Sequence, residues 1–121
     1  MKLAVCSQGK TLDSEVDPRF GRTQYFVIVD LETGESEAIE NPSVSLGHGA
    51  GVSSAQLLSR KGVDAVCAQR VGPNAFSSLD AAGIRVYAMG ANKNVGEVVD
   101  EYKKDLLEEQ SSPNVSGHQN G

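Results

Sequence analysis

Apolar and polar residues fall into blocks along the chain, and the block lengths set out an alternating strand and helix order. Residues 2–7, KLAVCS, are a short apolar run suited to a buried strand. A second run, QYFVIVD at 24–30, passes through the turn LETG into SEAIEN at 36–41, which predicts antiparallel neighbours. Glu35, Glu37 and Glu40 mark that third strand as an exposed edge guarded by charge. The period then lengthens. Val52, Ala55 and Leu58 recur at helical spacing within 50–61, and Gly62 stands at the stop. VDAVCA at 63–68 is short and shows no polar alternation beyond Asp64, as expected of a strand covered on both faces. Gly72 and Pro73 open a second helix with Phe76, Leu79 and Ala82 on its buried stripe, and Gly83 closes it. IRVYAM at 84–89 is the fifth strand. Asn94, with Glu97 three residues on, predicts a capping box for a third helix whose inward residues are Val95, Val98, Val99, Tyr102 and Leu106.

Helical crossovers are right-handed, so the first, fourth and fifth strands come out parallel. The expected fold class is α/β: a ribonuclease-H-like three-layer arrangement, with a five-stranded mixed sheet of order 3-2-1-4-5, strand 2 antiparallel, and three helices. Residues 1–108 are expected to form one domain. From 109 to 121 the chain turns to Ser, Pro, Asn, Gln and Gly, a polar tail expected to be disordered.

Composition narrows this picture. At 121 residues the chain suits one domain, and three Phe, three Tyr and no Trp leave the core to Val, Ala, Leu and Ile. A net charge of −5 argues against a general nucleic-acid binder. The absence of a leader-like or membrane-length apolar run predicts a cytoplasmic protein, in which Cys6 and Cys67 stay thiols unless something binds them.

Candidate chemistry gathers in the connections. The stretch between the first two strands is far longer than a hairpin needs and contains VDPRFGR at 16–22. Ligand crevices of open α/β sheets lie beyond the carboxyl ends of the parallel strands. There the loop 16–22, AQRVGPN at 68–74 and MGANKN at 89–94 are expected to converge, with SLGHGAG at 45–51 leading into the first helix. Three helix N-termini and Arg19, Arg22 and Arg70 would then frame an anion pocket. Its expected lining is Arg19, Phe20, Gly21, Arg22, His48, Gly49, Gly51, Arg70, Gly72 and Asn74, with Phe20 as the loop's anchor in the core. The alternative for Arg19 is an ion pair with Asp13, Glu15 or Asp17, worth under about 1 kcal/mol if exposed.

Each cysteine ends an AVC tripeptide on strands predicted to be adjacent. An in-register pairing sets Cys6 beside Cys67 and, with His48, makes a soft metal site for copper, zinc or an iron–sulfur species. A one-residue slip separates the sulfurs and leaves two small hydrophobes, and His48 is then an exposed cap residue. His118, in the tail, has no stronger claim. GHGAG at 47–51 does not follow a tight strand-to-helix turn as a dinucleotide loop would. Two-metal nuclease chemistry lacks its carboxylates: the first strand has none, and Asp64 is at the wrong end of the fourth.

Over about residues 2–107, the blocks MKLAVCSQGK, RFGRTQYFVIVD, IENPS, GAGVSSAQLL, GVDAV and GPNAFSSLDAAGIRVY resemble the dinitrogenase iron–molybdenum cofactor biosynthesis family. The resemblance implies a ribonuclease-H-like domain used for binding rather than turnover. Its ligand would be an anionic metal–sulfur cofactor or precursor, iron–sulfur or molybdenum-containing, and a protein partner in cofactor assembly is implied with it. Cluster-binding members commonly carry His where this chain has Arg19, a poor metal ligand. The expected function is thus a non-enzymatic binding or carrier protein. The alternative is a regulatory or scaffold module that binds a protein partner and a small anionic metabolite; no acid/base pair or activated nucleophile recommends an enzyme.

Overall fold

A computed structural model describes residues 1–113. Its elements run β1 (Lys2–Ser7), β2 (Tyr25–Asp30), β3 (Ser36–Glu40), a 3-10 turn (Pro42–Ser45), α1 (Ala50–Arg60), β4 (Ala65–Ala68), α2 (Pro73–Ala81), β5 (Arg85–Ala88), α3 (Val95–Lys103) and β6 (Glu108–Gln110). The sheet has the order β3-β2-β1-β4-β5-β6. β2 runs antiparallel to β1 and β3, while β4 lies parallel to β1 and β5. This is the expected ribonuclease-H-like sheet with one strand added. Glu109 and Gln110, expected in a disordered tail, pair instead with Tyr87 and Val86. His118 lies outside the described residues.

The central strands are apolar on both faces because helices cover both, and Leu3, Ala65, Val66 and Cys67 are fully buried. α1 and α2 pack against each other, and α3 packs on β1. The capping box of α3 forms as the sequence predicts, with Asn94 Oδ1 accepting from Glu97 N at 2.8 Å and Glu97 Oε1 accepting from Asn94 N at 2.9 Å.

Three inward positions differ from the periodicity. Leu106 is 68% exposed because α3 ends at Lys103 and Asp105, at φ +59°, turns the chain; Leu107 packs on the core in its place. Ala82 is exposed just past the end of α2, whose buried residues are Ala75 and Leu79. Val52 is half-buried, and Ser54 with Ala55 takes the inner face of α1.

Candidate functional site

The long connection between β1 and β2 is fastened at both ends by buried polar groups. Thr23 Oγ1 accepts from Ser7 N at 3.0 Å. Asn41, 1% exposed, donates from Nδ2 to Gly21 O (3.1 Å) and Thr23 O (3.0 Å). Its Oδ1 accepts from Ser43 N (3.1 Å) and lies 3.3 Å from Ser54 Oγ, which also reaches Gly21 O at 3.2 Å. Each buried polar atom of this frame therefore has a partner, which a dry interior demands. Phe20 is buried and its ring lies 5.6 Å from that of Phe26. The loop's middle is stitched to the end of β4 by Arg70 N to Pro18 O (3.0 Å) and Phe20 N to Arg70 O (3.3 Å).

Held this way, the loop forms one wall of a cleft of about 430 Å³. The other walls are the start of α1 (Gly49, Ala50, Gly51, Val52) and the connection into α2 (Arg70, Gly72, Pro73, Asn74, Ala75). Arg19, Phe20, Gly21 and Arg22 complete the lining. Backbones meet tightly at its base: a Cβ on Gly21 would lie 2.7 Å from Gly51 N, and one on Gly51 would lie 2.7 Å from Ala75 Cβ.

The electrostatics are one-sided. Three arginines line the cleft, and no Asp, Glu, His or Cys is among the described lining residues. α1 and α2 start at Gly49 and Gly72, neither of which supplies a side-chain cap. The N–H groups of Gly51, Val52, Asn74 and Ala75 find no acceptor among the described residues. Orphan first-turn donors of this kind are what an anion takes up. Arg19 keeps half its side chain exposed while its N–H (3.0 Å) and Nε (3.5 Å) approach the buried carboxylate of Asp17, so part of its charge is spent at home. Arg22 donates to the carbonyls of Val44, Leu46 and Gly47. Arg70 is exposed and makes no ion pair among the described residues.

Nine of the ten expected lining residues meet here; exposed His48 does not line the cleft. The third loop goes elsewhere. Val95 N and Gly96 N at the start of α3 donate to Ser14 O (2.9 Å) and Leu12 O (2.8 Å), so the β1–β2 connection plugs that helix terminus, and only two N-termini face the cleft.

The cysteines are apart. Val5, not Cys6, is the lateral partner of Cys67, so the one-residue slip is realised and the sulfurs take opposite faces of the sheet. Cys6 shares a register position with Phe26, and Cys67 with Tyr87, whose ring stacks edge-on against Tyr102 of α3. Burial pushes the Cys6 thiol well up, with Asp17 adding to the effect, and pushes Cys67 up to about 12 with help from Glu101. Thiols so raised stay protonated and are poor ligands. Among the described residues no group of three or more His, Cys, Asp or Glu is placed to hold a metal ion. The expected Cys6, Cys67 and His48 set is therefore not assembled.

Sequence reasoning missed the Asn41, Thr23 and Ser54 frame and the lining residues Ala50, Val52, Pro73 and Ala75. The Asn-Pro pair at 41–42 was the available signal, since it marks a turn whose Asn side chain bonds nearby backbone.

The cleft lies beyond the carboxyl ends of the central strands, where open α/β sheets hold their ligands, and its lining offers arginines and two helix N-termini. Residues 1–105 match the family model described as dinitrogenase iron-molybdenum cofactor, and the chain belongs to that family. Membership gives it a non-catalytic, cofactor-related role. It is similar to an uncharacterised protein of Methanocaldococcus jannaschii, 37% identical over 79% of this chain and 80% of that one. Among solved structures it is similar to the apo form of the orange protein from Desulfovibrio gigas: TM-score 0.92, 38% identity, 94% of this chain and 96% of that one. A Thermotoga protein with a provisional NifB label gives TM-score 0.84 at 39% identity, over 94% of this chain and 97% of that one. No helix among the described residues is long and apolar enough to cross a membrane.

Proposed function

We propose that this protein is a cytoplasmic carrier that holds an anionic metal–sulfur cofactor or its precursor in the cleft between the β1–β2 connection and the N-termini of α1 and α2. The observation that carries the reading is the pairing of Arg19, Arg70 and four unspent first-turn N–H groups with a lining free of Cys, His, Asp and Glu among the described residues. Donors without ligating atoms suit a cluster whose metal coordination is already complete. Its outer sulfur or oxygen atoms accept hydrogen bonds while its charge meets the guanidinium groups. The orange protein supports the reading to the extent that an apo form implies a loaded one. Carrying also requires a donor or recipient protein, which would approach this open rim.

Anaerobic incubation of the purified chain with iron and sulfide, molybdate and sulfide, or copper with tetrathiomolybdate, followed by desalting, metal analysis and absorption spectroscopy, tests this. Retention of a coloured metal–sulfur species that is lost in Arg19→Ala/Arg70→Ala supports it. A colourless, metal-free protein under every condition contradicts it.

A further inference from the structure

Arg22 lines the cleft and is held at both ends. Its main chain sits between the carbonyls of Gly21 and Thr23, which both accept from the Nδ2 of buried Asn41, at 3.1 and 3.0 Å. Gly21 O also lies 3.2 Å from Ser54 Oγ, and Gly21 rests on the first turn of α1, so the backbone that carries Arg22 has little room to swing. At the far end of the side chain three carbonyls converge on the guanidinium. Nη1 donates to Val44 O at 3.2 Å and Leu46 O at 2.8 Å, and Nη2 donates to Gly47 O at 3.2 Å.

These partners are neutral, which sets Arg22 apart from Arg19, whose Nε leans on the carboxylate of Asp17. Three carbonyl dipoles orient the guanidinium without cancelling its charge. They also leave a defined remainder. A guanidinium has five N–H groups, and here Nε–H and one Nη2–H find no acceptor among the described residues. Two donors on neighbouring nitrogens of one rigid plane suit two adjacent acceptor atoms on a single anionic centre. Because folding has already ordered this side chain, a ligand meets less of the ordering cost that exposed Arg70 would carry. The fork also has a neighbour: Gly51 N, a first-turn donor without an acceptor among the described residues, lies against Gly21.

We propose that Arg22 selects the cargo by shape. Its fixed pair of donors takes two terminal oxygen or sulfur atoms on one tetrahedral centre, and the cleft thereby favours such an anion over one that offers a single acceptor. The proposal rests on the anion-site reading given above and adds the geometry of the group that is held. Arg19 and Arg70 then supply charge at the rim, while Arg22 reads the ligand.

Titration of the full chain with tetrathiomolybdate and with iodide, followed by NMR of backbone amides and arginine Nε–H groups, tests this in wild type and in Arg22→Lys. That substitution keeps the charge and removes the paired donors. In wild type the Nε–H signal of Arg22, identified by its loss in Arg22→Lys, should move in step with tetrathiomolybdate binding. Arg22→Lys should weaken tetrathiomolybdate about tenfold, the share of one charge-assisted hydrogen bond, and single-atom iodide less than about twofold. Equal losses for the two probes would reflect a loosened cleft and overturn the proposal. So would bound tetrathiomolybdate with a stationary Arg22 Nε–H signal, or with unchanged affinity in Arg22→Lys; the anion site would then stand. No binding of either probe to wild type contradicts the site itself, and the selection with it.

Discussion

Gly21 and Gly51 meet backbone to backbone: a Cβ on Gly21 would stand 2.7 Å from Gly51 N and 2.9 Å from Gly51 Cα. This contact seats the β1–β2 connection on the first turn of α1, and it sets how close the arginines of the loop come to the helix terminus. Neither partner can yield, because both sides of the contact are main chain. Gly21→Ala should lower stability by roughly 1–3 kcal/mol, the usual range for overpacking, and should weaken tetrathiomolybdate binding. Urea denaturation with a parallel binding titration checks both; unchanged values in each would show that the contact does not define the cleft.

The same tightness continues one layer down, where a Cβ on Gly51 would lie 2.7 Å from Ala75 Cβ. Gly51→Ala alone should destabilise, and Gly51→Ala/Ala75→Gly should recover part of the loss, since the clash is between those two carbons. A double-mutant cycle measures the coupling, expected between about 0.5 and 3 kcal/mol.

Asn41 holds the loop and the 3-10 turn through four polar contacts while 1% exposed. Asn41→Ala strands the carbonyl of Thr23 and part of that of Gly21, and each buried unsatisfied group costs about 1–3 kcal/mol. A drop in the unfolding midpoint with a looser cleft is expected. Retention of both wild-type stability and wild-type anion affinity would remove Asn41 from the account.

The cysteine thiols give a pH prediction. Burial raises Cys67 from 9.0 to about 12 in the folded chain. An acid whose folded value is raised contributes stability in full below its unfolded value and loses it as pH rises through the folded one. Stability should therefore fall between pH 9 and 12, and the fall should be shallower in Cys67→Ala, with chemical denaturation at stepped pH as the measurement. In the native state at pH 8 both cysteines should resist a thiol reagent that labels them fully in urea.

Much of this fold is legible in the sequence because period and punctuation agree. The apolar blocks, the Asn94 and Glu97 box and the Gly-Pro helix start all point one way, and the sheet order follows from handedness. What escapes is set by long-range geometry. β6 is only EEQ, too short and too polar to announce itself, and it exists because β5 leaves an open edge. Cys6 and Cys67 sit in identical tripeptides, yet register depends on where β4 begins beside β1, and one residue decides it. The fate of the third loop was equally hidden, since a capping signal at Asn94 does not reveal that Ser14 and Leu12 will occupy the next two donors. In the cleft, residue types were readable, whereas the division of labour among the arginines was not: Arg19 leans on Asp17, Arg22 on the carbonyls of Val44, Leu46 and Gly47, and Arg70 on neither.

Retention by charge should also fade with salt, because guanidinium groups at an open rim are screened over about 8 Å at physiological ionic strength. Arg19→Ala and Arg70→Ala should each weaken binding and flatten its salt dependence. A coordinated ligand would show neither trend.

Amide chemical-shift mapping during a tetrathiomolybdate titration is the most direct trial of non-coordinating anion capture. The shifts should centre on Gly21, Gly51, Val52, Asn74 and Ala75, with the absorption bands of the probe unchanged. Shifts centred on the strands around Cys6 and Cys67, or bands that move as sulfur ligands are exchanged, would contradict it.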